Sequence, residues 1–171
     1  FNNDFNTDLF PVPEPLIFGE GTRVMNLRDG TKKMSKSDSS DYSRIMLNDS
    51  ADEIIQKIKK AKTDPHTLPI NIKETHKRPE AFNLLSIMAS FNNKSLDDVV
   101  ELYAGKEFLS LKKDLAEIIV DKINPIGKEM HKLIEDKSYL DEIMNKGKEK
   151  AINVADSVLG RVYDIVGFSK T

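Results

Sequence analysis

The spacing of hydrophobic and polar residues changes near residue 48. Before that point prolines and glycines interrupt the chain, and only residues 23–27 roughly alternate like a strand. Residues 11–15 (PVPEP) cannot be helical, because each proline lacks an amide donor and restrains the residue before it. Beyond residue 48 the helical period dominates. The pattern therefore predicts a short α/β part followed by five or six packed helices.

The first helix has the clearest start signal. Ser50 and Glu53 form the Ser-x-x-Glu pattern of a capping box, in which each side chain satisfies the other residue's free amide. The apolar face expected of this helix consists of Ile54, Ile55, Ile58 and Ala61. Residues 64–78 follow as a connector in which the sequence predicts no regular structure.

Signals for further helices follow the connector. Pro79 suits the first position of a second helix, and Ser95 suits the N-cap of a short third one. A long helix is expected over residues 111–136, kinked at Pro125. Its expected core-facing residues are Leu115, Ile118, Ile119, Ile123, Ile126, Met130, Leu133 and Ile134.

Two separate helices are expected at the end of the chain. Ser138 begins a short one, and residues 149–166 form the last, with Gly167 as its C-terminal cap. The apolar stripe of the last helix contains Ala151, Val154, Ala155, Val158, Leu159, Val162 and Ile165.

Composition removes several classes of function. The 171 residues carry 26 basic and 28 acidic side chains, so any anion site must come from local clustering rather than net charge. Cysteine is absent, which excludes disulfides and thiolate sites and is compatible with a reducing compartment. His66, His76 and His131 lack metal-ligand spacing, and no apolar run approaches the ~20 residues of a membrane span.

One polar stretch, residues 29–41 (DGTKKMSKSDSSD), carries candidate chemistry. Lysines supply compact positive charges, serines supply hydroxyl donors, and Gly30 permits a tight entry, which are the groups that a polyphosphate requires. Charge and spacing alone favour the alternative of a solvated surface loop. The full pentapeptide KMSKS at residues 33–37 reverses that preference.

KMSKS is the second signature of class I aminoacyl-tRNA synthetases, and its surroundings resemble the tryptophanyl-tRNA synthetase family. The similar segments are FPVPEP, GTRVMNLRDGTKKMSKSD, DEIIQKIKKAKTD, RPEAFNLLSIMA, ELYAGKEFLSLKKDLAEII and KAINVADSVLGRVYDIVGF, in the family's order. The tyrosine enzymes share the signature but resemble these flanks much less. The resemblance covers essentially the whole chain.

The resemblance implies a mainly α fold. Residues 1–48 would be the C-terminal part of a Rossmann-type catalytic domain with the KMSKS loop, and residues 49–171 a helical domain that binds the tRNA anticodon. No HIGH-like motif, the other class I signature, surrounds any histidine, and Phe1 looks like an internal start. We therefore expect a C-terminal half that cannot form tryptophanyl-adenylate alone.

The resemblance also implies site residues. Lys33 and Lys36 would stabilise the departing pyrophosphate of ATP, with Ser35 and Ser37 as further donors. Met34 would anchor the closed loop or pack near the nucleotide.

Beside the loop, the backbone at Val24 would contact adenine, although Val24 also suits a buried strand position. Arg23 would contact the nucleotide or pair with a carboxylate, and Lys32 would be a solvated neighbour. Mg²⁺ would sit on the phosphate oxygens of ATP, without a protein metal site.

The implied partners are tRNA(Trp), tryptophan and a second subunit in a cytoplasmic homodimer. Exposed cations for the RNA would be Lys128, Lys132, Lys146, Lys148, Lys150 and Arg161, each of which also suits a solvated helix face. Lys106, Phe108 and Lys112 would serve a backbone contact or only a helix entry. Two alternatives remain open, a non-catalytic helical RNA-binding module and a part of a tyrosine enzyme.

Overall fold

The computed structural model describes residues 1–17 and 21–168. Within them lie α1 (Asn2–Phe5), β1 (Met25–Asn26), β2 (Asp29–Lys33), α2 (Ala51–Lys59), α3 (Ile72–Thr75), α4 (Pro79–Asn92), α5 (Leu96–Tyr103), α6 (Phe108–Glu135) and α7 (Lys137–Val166). A 3₁₀ turn, Asp41–Ser43, follows residues 29–40, which are called the lysine-serine loop below. The expected mainly α fold is confirmed.

The chain separates into two compact units. One consists of Phe1–Leu16 with Lys132–Thr171, and the other is Ile17–His131. Compactness and function can divide a chain at different points, so the functional boundary between residues 48 and 49 stays a prediction.

Several predicted helix ends are confirmed by their hydrogen bonds. The Ser50 Oγ accepts from the Glu53 amide at 3.3 Å, and the Glu53 carboxylate accepts from the Ser50 amide at 2.7 Å, which completes the capping box. The Ser95 side chain accepts from the amide of Asp98 at 3.1 Å. Pro79 is the first residue of α4, and Gly167 caps α7 with φ 80°.

The hydrophobic core of the Ile17–His131 unit is built around α4. Leu84, Leu85 and Ala89 of this helix are almost fully buried. They belong to one cluster with residues of α2, α5 and α6 that includes Ile54, Ile58, Val99, Val100, Leu111, Leu115 and Ile119. The core therefore lies between α4 and the helices α2, α5 and α6.

Not every residue of the predicted apolar stripes is buried. Ile55 is 42% exposed, because it lies about 100° around α2 from Ile54, whereas Ile58 and Ala61 lie close to the direction of Ile54. In α6, Leu115 and Ile119 are buried, but Ile126 and Ile134 remain about half exposed.

Two predictions about the later helices were wrong. The connector contains the one-turn helix α3, whose first turn is capped when the Asn71 side chain accepts from the Glu74 amide at 3.0 Å. The two expected final helices are one continuous helix, α7, which begins after Asp136 and runs through Gly147. A single glycine inside a helix costs only about 1 kcal/mol, which is too little to end it.

The predicted strand over residues 23–27 was also partly wrong. Only Met25 and Asn26 form β1, and they pair antiparallel with β2, a strand that the sequence did not predict. Because β2 (DGTKK) is polar and mostly exposed, it has no hydrophobic alternation to detect.

Within the described part of the chain, no helix is long and apolar enough to cross a membrane.

Candidate functional site

The hairpin of β1 and β2 leads directly into the lysine-serine loop. Lys33 ends β2, and its Cα pairs in register with that of Met25. The next amide, that of Met34, donates to the carbonyl of Val24 at 3.0 Å. The Met34 side chain is half-buried and packs against the hydrophobic core, whereas Val24 is 37% exposed. Two of the predicted site residues, Val24 and Met34, are thus joined at the base of the loop.

The tip of the loop, residues 35–37, is exposed and bonded mainly to itself. The hydroxyl oxygens of Ser35 and Ser37 lie 3.0 Å apart, and the Ser37 amide donates to the Ser35 Oγ at 3.3 Å. The Ser35 carbonyl accepts from the amide of Asp38 at 3.3 Å. Both hydroxyls and the backbone around them therefore stay accessible to a ligand.

The two signature lysines, Lys33 and Lys36, are exposed. Across the described residues, neither has a carboxylate within ion-pair distance, and the same holds for Arg23. Lys32 differs, because its Nζ lies 3.2 Å from the Asp29 carboxylate. The lysines predicted to meet phosphate are thus available, while the predicted neighbour is engaged.

The entry of the loop is fixed by Asp29. Its carboxylate accepts from the hydroxyl of Thr31 at 2.6 Å and from the amide of Thr31 at 3.1 Å. These hydrogen bonds, with the nearby Lys32 ammonium, lower the pKa of Asp29 from 3.8 to about 2. Asp29 is therefore ionised at neutral pH and holds the start of β2.

The exit of the loop is fixed by Asp38 and Arg44. The Asp38 carboxylate accepts from the Asn26 Nδ2 and from the Ser40 amide, both at 2.9 Å. The guanidinium of Arg44 donates to the carbonyls of Asp38 and Ser40 at 3.0 and 3.2 Å and to the carboxylate of Asp41 at 2.7 Å. The Asp38 carboxylate is thereby directed towards β1 and the chain after the loop.

Two residues hold the hairpin. Sequence reasoning missed Asn83, and for Gly30 it indicated only a tight entry to the loop rather than a contact with α4. The side chain of Asn83, only 3% exposed, bonds to the backbone of β1. Gly30 of β2 passes so close to α4 that an added Cβ would lie 2.6 Å from the Pro79 carbonyl oxygen. Asn83 is a carboxamide with an apolar residue on either side of it in α4, and this pattern is the one sequence signal that could have pointed to it.

The predicted RNA-contacting cations lie on α6 and α7, and all six are exposed. Lys146 pairs with Glu142 one turn earlier on α7. Lys106 lies over the ring of Tyr103, and Lys112 donates to the carbonyls of Lys59 and Ala61 at 3.0 and 2.6 Å, so Lys112 serves the end of α2.

The described residues contain no group of three or more acidic or histidine side chains that could hold a metal ion. His66, His76 and His131 are each exposed.

One protein family matches the part of the chain that contains both the hairpin and the KMSKS loop. The family of class I tRNA synthetases (W and Y) matches residues 1–123, which include the hairpin, the KMSKS loop and most of the core. The chain belongs to this family. The resemblance inferred from the KMSKS segment and its flanks is confirmed.

Curated members of the class I family are similar over nearly all of the chain. Tryptophan–tRNA ligase of Caulobacter vibrioides is 51% identical over 98% of the chain and 49% of its own length. The ligase of Agrobacterium fabrum is 46% identical over 93% of the chain and 45% of its own length. The chain thus spans about half the length of these class I relatives.

A solved structure of the same class shares the fold. Tryptophanyl-tRNA synthetase from Mycoplasma pneumoniae superposes with a TM-score of 0.82, at 24% identity, over 98% of this chain and 50% of that one. The chain therefore has the fold of that structure over the part that it covers.

Proposed function

We propose that the chain acts as part of a tryptophan–tRNA ligase, which activates tryptophan with ATP and transfers it to tRNA(Trp). The observation that carries this proposal is the intact KMSKS directly after the hairpin, with Lys33 and Lys36 exposed and without a carboxylate partner among the described residues. The names of the curated relatives support tryptophan over tyrosine as the amino acid.

In the proposed activation step, a carboxylate oxygen of tryptophan attacks the α-phosphorus of ATP. The bond from that phosphorus to the bridging oxygen breaks, and pyrophosphate leaves with the electron pair. Lys33 and Lys36 stabilise the negative charge that develops on this leaving group. Their compact ammonium groups on flexible stems suit phosphates that move during the step.

The remaining loop residues complete the proposed contacts. The hydroxyls of Ser35 and Ser37 donate to phosphate oxygens after giving up their mutual contact of 3.0 Å. Backbone groups at Val24 meet adenine, and Met34 keeps the loop seated on the core. Mg²⁺ binds through the phosphates of ATP.

The helical region is proposed to contact tRNA through α7. Tyr139, Lys146, Lys150 and Arg161 fall within about 60° of one another on an α-helical projection. Each is exposed. This face offers cations for phosphates and an aromatic ring on which an unstacked base can lie. Lys128, Lys132 and Lys148 are further candidates for phosphate contacts, and Lys148 lies on a different face of α7.

The assembly proposed for the complete protein is a cytoplasmic homodimer. The chain alone is not expected to form the adenylate, because it lacks a HIGH-like motif and spans about half of the relatives' length.

The test is tryptophan-dependent ATP–pyrophosphate exchange by the complete protein with Lys33→Ala or Lys36→Ala. Removing one donor to a developing charge is expected to lower the exchange rate about 100-fold. Tryptophan affinity, measured by calorimetry, should change less than about twofold, because the loop acts on the phosphates.

Lys32→Ala is the matched control, since Lys32 is adjacent but paired with Asp29. It should retain the parental exchange rate. If both signature variants also retain that rate, the assigned roles of Lys33 and Lys36 are wrong. If the complete parent binds tRNA but shows no exchange, the protein is an RNA-binding module instead.

A further inference from the structure

The carboxamide of Asn83 reaches from α4 to the backbone of β1. Its Oδ1 accepts from the Met25 amide at 3.0 Å, and its Nδ2 donates to the carbonyls of Met25 and Asn26 at 3.0 and 3.4 Å. Asn83 is 3% exposed and Asn26 is 4% exposed, so water does not compete freely for these bonds.

This arrangement replaces a neighbouring strand. A strand at the edge of a sheet leaves amide and carbonyl groups unpaired, and burial makes unpaired groups costly. A carboxamide carries one acceptor and two donor hydrogens, so it can satisfy both the amide and the carbonyl of one strand residue. Asn83 does this for Met25, which makes it the edge partner of a two-residue strand.

The second strand is also fixed to the first turn of α4. An ideal Cβ on Gly30 would lie 2.6 Å from the carbonyl carbon and oxygen of Pro79 and 2.8 Å from the Glu80 nitrogen. This close backbone contact leaves no room for a side chain. One helix therefore supports both strands of the hairpin.

The register of the hairpin connects Asn83 with the loop. Met25, which Asn83 holds, pairs with Lys33, and the preceding residue Val24 accepts from the Met34 amide at 3.0 Å. A shift of β1 would therefore move the start of the KMSKS segment with it.

We infer that Asn83 is a positioning residue for the KMSKS loop, setting where Lys33 begins its reach towards the phosphates of ATP. The inference rests on the proposed ligase function. Asn83 itself does not contact the substrate, and it acts through β1.

The first experiment measures pyrophosphate exchange by the complete protein carrying Asn83→Ala or Asn83→Asp. The aspartate keeps an acceptor for the Met25 amide but places a carboxylate oxygen against two carbonyls. For both variants kcat should fall about tenfold, the factor expected from losing a buried hydrogen-bond pair. KM for tryptophan should stay within about twofold, because the loop serves the phosphates.

Asn92→Ala is the matched control, because Asn92 lies on the same helix and, among the described residues, its side chain hydrogen-bonds only to Met88, also in α4. It should leave kcat unchanged. Variants of Asn83 that melt at lower temperature but keep the parental kcat well below melting would overturn the inference, since Asn83 would then only stabilise the fold.

A second measurement does not depend on activity, and its first part uses only the unaltered protein. Hydrogen exchange of the unaltered protein should show the Met25 amide protected, and Asn83→Asp should expose the Met34 amide more than the buried amide of Leu115. A rapidly exchanging Met25 amide in the unaltered protein contradicts the inference. If exchange protection behaves as expected but the parent does not activate tryptophan, the ligase proposal fails while the support of the loop by Asn83 stands.

Discussion

The hairpin base, residues 26–30, and the tip of the lysine-serine loop, residues 35–37, differ in how they are held. At the base, the Leu27 amide donates to the carbonyl of Ser43 at 2.9 Å, and the Leu27 carbonyl accepts from the amide of Lys62 at 2.7 Å. At the tip, Ser35 and Ser37 contact each other and expose their side chains. A fixed base with a loosely held tip lets lysines meet a changing phosphate group while the strands stay in place.

The physical difference is burial. Asn26, Leu27 and Gly30 at the base are buried, so losing a partner or adding an atom there disturbs packed backbone. The tip residues face solvent, where water replaces a lost hydrogen bond at little cost. Substitutions at the base should therefore change stability, and substitutions at the tip should change catalysis.

The largest expected effect on stability comes from Gly30→Ala at the base. The new methyl group would lie 2.6 Å from the backbone of Pro79, so β2 or the start of α4 must shift. We expect a loss of about 2–3 kcal/mol in the free energy of unfolding. Urea denaturation followed by far-ultraviolet circular dichroism measures it.

Gly147→Ala is the matched control for Gly30. An added Cβ at Gly147 meets no atom within 4 Å, and the residue lies inside α7. Alanine should stabilise that helix by about 0.5–1 kcal/mol. Equal effects at the two glycines would show that the contact between β2 and α4 does not constrain the hairpin.

A smaller effect is expected from Asp38→Ala, at the boundary between tip and base. The substitution removes the acceptor for the Asn26 side chain and the Ser40 amide, each 2.9 Å away. Arg44 still holds the backbone there, so we expect a loss of about 1–2 kcal/mol in unfolding free energy. Thermal denaturation of the same protein measures the change.

Ser35→Ala serves as the control at the tip. Among the described residues its hydroxyl hydrogen-bonds only to Ser37, so stability should stay within about 0.5 kcal/mol of the parent. A loss at Ser35 as large as that at Asp38 would mean that the tip is as firmly held as its boundary.

The smallest expected effect concerns the charge of Asp29 at the loop entry. Hydrogen bonds from Thr31, with Lys32 nearby, lower the pKa of Asp29 from 3.8 to about 2. Because folding lowers the pKa of Asp29, its charged carboxylate stabilises the folded state. This stabilisation is complete above about pH 3.8 and is lost as the pH falls through about 2. Titration of the Asp29 carboxyl carbon by nuclear magnetic resonance measures this pKa.

Thr31→Val sharpens the same measurement, because it removes the hydroxyl donor and keeps the amide donor. The pKa of Asp29 should rise towards its ordinary value. A carboxyl that titrates near 3.8 in the unaltered protein would show that the turn at Asp29 is open.

Much of the helical architecture could be predicted from the sequence. The helix-end residues act on amides and carbonyls within a few residues of themselves, so their effects can be predicted from the local sequence. They are Ser50 with Glu53, Ser95, Pro79 and Gly167. The core positions Leu115 and Ile119 followed from the helical period. The continuity of α7 did not, since the sequence predicted one short helix from Ser138 and a separate one over residues 149–166, whereas a single glycine between them costs too little to end the helix.

The candidate site could be predicted only in part. KMSKS identified the loop from Lys33 to Ser37 because those residues are contiguous in the chain. The partner strand β2 was missed because its polar side chains carry no period. Asn83 was missed because its partners, Met25 and Asn26, lie more than fifty residues away in the sequence.

The sequence by itself determined where the helices begin, which stretch carries the phosphate-binding chemistry, and which family the chain resembles. Those properties depend on residues near one another or on a contiguous motif. Only the tertiary structure decided that, in the part of the chain it describes, Lys32 has a carboxylate partner and Lys33 and Lys36 have none, and that α4 supports both strands. Which groups meet across long sequence separations is set by packing and burial, and neither leaves a local pattern in the chain.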